Sequence, residues 1–284
     1  MIKLYNDFFF VNVGKEIIPC KIRGLIKRDK RSGTAIYPGD YVEISRLENN
    51  SGVIEKILPR KNLLTRPAVA NIDRVILTFA AANPNFHPLL LNRFIILAEQ
   101  SKIPEIVICI NKIDLIEDGE NFLSDYEPLY KIVRVSALTG KNIDALKKIL
   151  SSGVTVFSGP SGAGKSSLLN AIDSSLNLKT GTVSKKILRG KHTTRFSELL
   201  KFANGFFVDT PGFGAVNLSD AGIDKKNLRL MFKEFGDFAG DCKFLNDCSH
   251  SHEPGCGIKS AVESGKILPE RYEIYLTLLK ELSG

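Results

Sequence analysis

Residues 159–167 read GPSGAGKSS and match the phosphate-binding pattern GxxxxGK[ST]. The segment lies between an apolar run, VTVFSG, and a helix-forming run, SSLLNAI, which is the context this pattern requires. Glycines let backbone N–H groups approach phosphates, and a helix N-terminus adds partial positive charge. The alternative is a glycine-rich turn without a ligand. The predicted phosphate-binding residues are Gly159, Pro160, Ser161, Gly162, Ala163, Gly164, Lys165, Ser166 and Ser167, with Lys165 on the β- and γ-phosphates and Ser166 on Mg²⁺.

Two further segments predict a guanine base. Asn111, Lys112 and Asp114 form NKID after the apolar run EIVICI, and a carboxylate there accepts hydrogen bonds from N1–H and the exocyclic amine of guanine. Adenine has no such pair of donors. NKxD alone is often only a turn at a strand end, but Ser136 and Ala137 follow another predicted strand, KIVRV, and the Ala137 N–H can meet guanine O6.

A third group predicts a Mg²⁺-dependent switch. Asp209 and Gly212 belong to DTPG, in which the aspartate holds Mg²⁺ through water and the glycine N–H meets the γ-phosphate. The segment KHTT lies between the phosphate loop and DTPG, where a first switch belongs. Thr193 or Thr194 is expected to complete the Mg²⁺ shell, and Thr194 is the preferred candidate.

The residues expected to act in hydrolysis are Lys165, Thr194 and His192. Phe213 follows DTPG where Ras-like enzymes place a glutamine that orients water, and an apolar side chain cannot polarise water. His192 is the nearest candidate in the sequence for that role; the alternative is a solvated loop residue. Slow intrinsic turnover, raised by a partner, follows from this pattern.

The order of the motifs is permuted. In ordinary GTPases the phosphate motifs come first, whereas here NKID and SAL precede the phosphate loop, KHTT and DTPG. Such a site can still assemble because all the loops leave one edge of a sheet, whatever order connects the strands. The sequence therefore predicts a circularly permuted GTPase.

Three cysteines and a histidine lie within 15 positions near the C-terminus. Reduced thiols and imidazole suit tetrahedral Zn²⁺, and four protein ligands leave no open catalytic position, so the site should be structural. His252 is a competing ligand ranked below His250, and unrelated buried cysteines are the other alternative. The predicted zinc ligands are Cys242, Cys248, His250 and Cys256.

Three domains would position these residues. Short β-prone runs over residues 1–65 predict an oligonucleotide-binding (OB) β-barrel. PRKNLLTRP then resembles a linker. Apolar runs that alternate with helical periodicity over residues 66–218 predict a doubly wound α/β domain. Residues 219–284 predict a helical, zinc-stabilised domain that ends in an amphipathic helix.

The charge distribution favours a nucleic-acid partner. The net charge is +8, and residues 1–65 contain 12 Lys/Arg against 7 Asp/Glu. Such a cluster attracts phosphate backbones, although a solvated basic face is the alternative. No run of about 18 apolar residues occurs, so a cytoplasmic location without membrane contact is expected. The basic cluster consists of Lys21, Arg23, Lys27, Arg28, Lys30 and Arg31.

With these motifs the chain resembles the bacterial ribosome small-subunit-dependent GTPase A family, also called RsgA or YjeQ. The resemblance covers nearly the whole length and rests on GDYVEI, PRKNLLTRP, NKID, SAL, GPSGAGKSSLLN, GKHTT, DTPGF and CKFLNDCSHSHEPGC. It implies an OB domain, a permuted GTPase binding GTP or GDP with Mg²⁺, and a Zn²⁺ domain. It also implies GTP hydrolysis stimulated by the 30S subunit during its late maturation and contact with 16S rRNA. A protein that docks at one ribosomal site is more simply a monomer, so a monomer is expected.

Three alternatives remain open. Permuted GTPases also serve the large subunit, and co-sedimentation with 50S rather than 30S particles would favour that partner. A zinc-stabilised RNA-binding module with a merely structural nucleotide site would tolerate Lys165→Ala in the cell. An ATPase would bind ATP and GTP with comparable affinity, which the NKID motif opposes.

Overall fold

The computed structural model describes residues 1–5, 8–14, 16–23, 35–65, 68–117, 123–178, 198–209 and 217–283. These ranges contain thirteen strands and five α-helices. The strands are β1 (Lys3–Tyr5), β2 (Phe8–Val13), β3 (Glu16–Ile22), β4 (Val42–Arg46), β5 (Gly52–Ile57), β6 (Leu63–Thr65), β7 (Ala68–Ala70), β8 (Arg74–Ala80), β9 (Glu105–Asn111), β10 (Lys131–Arg134), β11 (Ser152–Ser158), β12 (Leu200–Phe202) and β13 (Asn204–Asp209). The helices are α1 (Pro88–Gln100), α2 (Ile143–Leu150), α3 (Lys165–Ile172), α4 (Gly257–Glu263) and α5 (Pro269–Glu281).

The N-terminal unit is a five-stranded sheet with the order β1-β2-β3-β5-β4. β3 pairs with β5 in parallel and the other pairs are antiparallel, which makes a Greek-key order and confirms the predicted β domain. Val11, Ile18, Cys20 and Ile54 point inward to form its core. Of the basic cluster, Lys21 and Arg23 lie at the end of β3, and the other four residues fall outside the described ranges.

The connection to the next unit is a hairpin rather than the predicted linker, since β6 and β7 pair antiparallel at residues 63–70. Two buried asparagines explain its structure. Asn62 exchanges two 2.8 Å bonds with the backbone of Ile72, one from each side of its amide. Asn71 accepts from the Lys61 N–H at 2.9 Å and donates to the Gly39 carbonyl at 3.0 Å. These bonds join the N-terminal unit to the start of the central sheet.

The central sheet has the order β10-β9-β8-β11-β13-β12. All of its pairs are parallel except that of β12, an antiparallel edge strand on β13. After its first residue, each of β8 and β9 is wholly buried, as the continuous apolar runs predict for strands covered on both faces. The doubly wound α/β prediction is confirmed.

The C-terminal unit is helical, as predicted, but its first part differs in kind. Described residues between 219 and 247 form short 3-10 turns rather than α-helix. One cause lies in side chains that bond to the nearby backbone: the Asp224 carboxylate accepts from the N–H groups of Lys226 and Asn227, both at 2.9 Å. α4 and α5 follow and pack into the core that also contains α1. None of the described helices is long and apolar enough to cross a membrane.

Candidate functional site

Four predicted motifs leave the same edge of the central sheet. β9, β10, β11 and β13 run parallel, and each ends at one of the segments that carry NKID, SAL, the phosphate loop and DTPG. The register aligns Phe157 of β11 with Asp209 of β13, and Ala80 of β8 with Asn111 of β9. The permuted order of the motifs therefore does not prevent their assembly.

Asn111 is the junction between three of these loops. Its side chain, in a residue only 1% exposed, donates from Nδ2 to the Ala163 carbonyl at 2.9 Å. Its Oδ1 accepts from the Ala137 N–H at 3.0 Å. The phosphate loop, NKID and SAL are thus fixed to one another by a single amide. Because the Ala137 N–H already donates to Asn111 Oδ1, a guanine O6 would have to share this donor.

Asp114 is exposed at this edge, and Ser136 holds it. The Ser136 hydroxyl, fully buried, donates to Asp114 Oδ1 and accepts from the Thr139 N–H at 3.1 Å. Asp114 Oδ2 takes no part in this bond, and a carboxylate oxygen has acceptor capacity for a base. Ser136 therefore positions the carboxylate in this structure.

Two glycines of the phosphate loop occupy positions that no side chain fits. Gly159 has φ +147°, and a Cβ there would lie 2.0 Å from the Thr78 carbonyl oxygen. Gly164 has φ +85°, and a Cβ would lie 2.3 Å from Asn111 Nδ2. The loop can thus lie directly against β8 and the Asn111 amide, because neither glycine has a side chain to separate them.

Lys165 and Ser166 begin helix α3, as the phosphate-binding pattern predicts. Lys165 Nζ donates to the carbonyls of Gly159 at 2.8 Å and Pro160 at 2.9 Å, so its ammonium lies over the loop that it follows. Ser166 and Ser167 are half-buried in the first turn. A helix N-terminus that follows a glycine loop and begins with a lysine fits the phosphates of a nucleotide.

The remaining predicted nucleotide residues are not all described. His192, Thr193, Thr194 and Gly212 lie outside the described ranges. The backbone of Asp209 is described as the last residue of β13, at the nucleotide edge. Lys112 is described: its Nζ donates to the Asn83 carbonyl in the loop between β8 and α1.

The three cysteines and His250 form one buried cluster, in which the ligand atoms all lie within 4.8 Å of one another. His250 Nδ1 lies 3.5 Å from the Sγ atoms of both Cys242 and Cys256, which are 3.9 Å apart. Tetrahedral zinc, with bonds of about 2.3 Å to sulfur and 2.0 Å to nitrogen, places its ligands about 3.5–3.8 Å apart. These residues therefore fit Zn²⁺. His252 is outside the cluster: it is exposed, and its Nδ1 is 2.9 Å from Ser251 Oγ.

Helix α5 supports this cluster from one side. The hydroxyls of Tyr272 and Tyr275 donate at 2.7 Å to the carbonyls of His250 and Ser249, respectively. Burial raises the pKa of the Cys248 thiol to about 12 and lowers the pKa of the His250 imidazole. Burial thus favours neutral imidazole, which a metal can bind, but it also favours the neutral thiol, so Cys248 would become a thiolate only with a cation beside it.

Sequence reasoning missed a polar contact between the central and C-terminal units. Arg271 of α5, only 2% exposed, donates from Nε to Glu234 at 2.6 Å and from a terminal nitrogen to Asn92 of α1. Asn92 in turn donates to the Tyr126 hydroxyl at 2.7 Å. Asn92 and Arg271 are 179 positions apart, so no local pattern could pair them.

Comparisons with known proteins agree over nearly the whole chain. A family model described as RsgA GTPase matches residues 57–219, and one described as RsgA N-terminal domain matches residues 1–54. The "small ribosomal subunit biogenesis GTPase RsgA" of Clostridium botulinum (strain 657 / Type Ba4) is 42% identical over 99% of this chain and 96% of its own. That of Alkaliphilus metalliredigens is also 42% identical, with the same coverage.

Two solved structures are similar. YjeQ from Thermotoga maritima has a TM-score of 0.86 and 40% identity, covering 100% of this chain and 97% of its own. YloQ, described as a circularly permuted GTPase, has a TM-score of 0.81 and 33% identity, covering 99% and 93%. With the permuted motifs at one sheet edge, these matches establish that the chain belongs to the RsgA family of GTPases.

Proposed function

We propose that this GTPase binds the 30S ribosomal subunit and hydrolyses GTP on it during late maturation, with the nucleotide state controlling attachment and release. The observation that carries the proposal is the Asn111 junction, which joins the guanine-binding and phosphate-binding loops into one site. The relatives in Clostridium botulinum and Alkaliphilus metalliredigens are named as small ribosomal subunit biogenesis GTPases, and this supports the choice of partner.

The nucleotide roles follow from position. Asp114 receives the two guanine donors, Ser136 orients it, and Asn111 and Lys112 complete the base pocket with the backbone of Ala137. Residues 159–167 surround the phosphates, with Lys165 on the β- and γ-phosphates. Ser166, Thr194 and Asp209 bind Mg²⁺; Thr193 is the alternative to Thr194, the Gly212 N–H meets the γ-phosphate, and His192 orients water. Mg²⁺ supplies charge neutralisation at the phosphates when it is bound.

The other two units provide the contacts with the ribosome and the structural metal. Residues 1–65 form the domain that contacts 16S rRNA, residues 66–218 the GTPase, and residues 219–284 the zinc domain. Cys242, Cys248, His250 and Cys256 hold Zn²⁺, which would stabilise the C-terminal unit without taking part in hydrolysis. We place the protein in the cytoplasm as a monomer.

The test is GTP turnover by the purified protein alone, with 30S subunits and with 50S subunits, each at low and high salt. Stimulation by 30S alone, fading at high salt because phosphate contacts release counterions, supports the proposal. Stimulation by 50S alone would assign the large subunit instead. No stimulation by either particle would contradict the ribosomal function.

Base recognition is tested with Asp114→Asn. The amide can donate to a carbonyl that the carboxylate would repel, so the variant should lose GTP affinity and gain affinity for xanthosine triphosphate, which has a carbonyl in place of the exocyclic amine. Asp144→Asn, an exposed aspartate on α2, is the matched control and should change neither affinity. Equal losses for both nucleotides in Asp114→Asn would contradict the assigned contact.

A further inference from the structure

The N-terminal unit contacts the central sheet at a second place besides the β6–β7 hairpin. The Leu199 N–H donates to the Ile2 carbonyl at 3.0 Å, and Lys3 Nζ pairs with the Glu198 carboxylate at 2.9 Å. Leu199 is 5% exposed and Ile2 is 8% exposed, and both belong to the core that includes the central sheet. A backbone bond, an ion pair and an apolar contact therefore meet at this second contact, formed by Ile2, Lys3, Glu198 and Leu199.

The second contact leads directly to the nucleotide edge. Leu199 is followed by β12, whose residue Leu200 pairs with Phe207 of β13, and β13 ends at Asp209. In the other direction along the sequence, the KHTT segment ends at Thr194, four residues before Glu198. A displacement of Glu198 and Leu199 would thus act, through β12, on the strand that carries the proposed Mg²⁺ ligand Asp209.

The hairpin also anchors the N-terminal unit. Asn62 and Asn71 are 8% and 2% exposed, and they bond to the backbone of both units. These buried amides keep the N-terminal unit attached to the central sheet, so a shift of this unit would also act on the second contact. By contrast, the Lys3 and Glu198 side chains are 36% and 49% exposed, so this ion pair can be altered without opening a core.

We propose that Lys3 and Glu198 are positioning residues that couple engagement of RNA by the N-terminal unit to GTP hydrolysis at the sheet edge. This inference rests on the proposed function, because it concerns stimulation by the 30S subunit. Lys3 acts through its ion pair with Glu198, and Glu198 acts through the chain that leads to the proposed Mg²⁺ ligand Asp209. Neither residue touches the nucleotide. An exposed ion pair contributes up to about 1 kcal/mol, which is about a fivefold change in an equilibrium.

The test is charge reversal, with 30S-stimulated turnover, intrinsic turnover and 30S affinity measured for each variant. Glu198→Lys should lower the stimulated kcat about threefold or more, with intrinsic turnover and KM for GTP unchanged. Lys3→Glu should do the same, and the double reversal Lys3→Glu/Glu198→Lys should restore stimulation. The control is Glu16→Lys, which reverses an exposed ion pair with Arg46 inside the N-terminal unit and should leave stimulation unchanged.

Three outcomes overturn the inference. Full stimulation of Glu198→Lys would show that the ion pair does not couple the two units. If the double reversal fails to restore stimulation, and 30S affinity is reduced in both Lys3→Glu and the double variant, Lys3 contacts RNA directly instead. A wild-type protein that 30S does not stimulate would refute the proposed function and this inference together, whereas the first two outcomes leave the proposed function intact.

Discussion

The nucleotide edge and the Cys–His cluster both fix ligand atoms in space, but by different means. At the nucleotide edge, parallel strands set the loop positions and hydrogen bonds from Asn111 and Ser136 join them, so bonds within the chain fix the described part of the site. Around the cluster, the described residues from 219 to 256 form no strand and only short 3-10 turns. There the three cysteines lie in a core with Phe235 and Tyr275, and no described strand holds them in place.

This difference indicates which of the two ligands, the nucleotide or the metal, the fold needs for its stability. Nucleotide binding is added to a sheet that has its own apolar core, so it should change activity more than stability. Around the cluster, where the described residues form no sheet, a bound metal would hold the chain segments together, so its binding free energy contributes to the free energy of folding. Substitutions at the nucleotide edge should therefore lower nucleotide affinity more than stability, whereas substitutions at the Cys–His cluster should mainly lower stability. We make four predictions about these contacts and their surroundings, in order of decreasing effect.

Cys256→Ser should have the largest effect on folding. The cluster loses one thiolate and its zinc, and the C-terminal unit loses several kcal/mol of stability, because structural zinc contributes to folding directly. Zinc content and limited proteolysis measure this. Cys20→Ala, at a buried cysteine of the N-terminal sheet, is the control and should retain zinc. A Cys256→Ser protein with an intact, protease-resistant C-terminal unit would refute the comparison.

Arg271→Met should cost about 3–5 kcal/mol, because it leaves the Glu234 carboxylate buried without its partner. Denaturant unfolding measures the change. Arg93→Met is the matched control: Arg93 of α1 pairs with Glu281 of α5, but these side chains are 24% and 41% exposed, so we expect about 1 kcal/mol or less. Equal costs for the two variants would mean that burial of the pair does not set its importance.

Asn111→Ala should weaken GTP binding about tenfold or more while the melting temperature changes less than in Arg271→Met. It removes the one amide that bonds to both the Ala137 N–H and the Ala163 carbonyl, so the guanine-binding and phosphate-binding loops lose their common anchor; tenfold in affinity corresponds to about 1.4 kcal/mol. Nucleotide titration and thermal unfolding measure the two effects. Asn142→Ala, at an exposed asparagine that bonds to the Arg134 carbonyl, should leave GTP affinity unchanged.

Glu253→Gln should have the smallest effect, and it should depend on pH. Burial alone would raise the pKa of this carboxyl, but hydrogen bonds from Ser249 and from the backbone of Ser251 lower it to about 2, from 4.5. The carboxylate therefore contributes stability above about pH 4.5, and this contribution is lost as pH falls toward 2. We expect about 1 kcal/mol or less after solvent screening.

Unfolding of the wild type and of Glu253→Gln at a series of pH values between 3 and 7 measures this contribution. The stability difference between the two proteins should narrow in acid, and a difference that widens as pH falls would contradict the assigned bonds. Glu270→Gln, at an exposed first-turn position of α5, is the control.

The sequence predicts the nucleotide edge well because its signals are local. Asp114 and Lys165 each lie in a short motif directly after a buried apolar run, and a parallel sheet brings such strand ends together without further information. The cysteine spacing likewise indicates the metal cluster. The contact of Asn92 with Arg271 has no such signal, since it depends on how two distant helices pack. The 3-10 turns escaped prediction because bonds like those of Asp224 compete with regular α-helix.

The permuted strand order also has a consequence for synthesis of the chain. A nascent chain that ends after β10 already contains β8, β9 and β10, which carry the guanine loops and pair with one another. β11 and β13, which carry the phosphate loop and Asp209, emerge several seconds later at the usual rate of translation. The chain thus completes its base-reading half first, and cannot hold a triphosphate until its second half has left the ribosome that makes it.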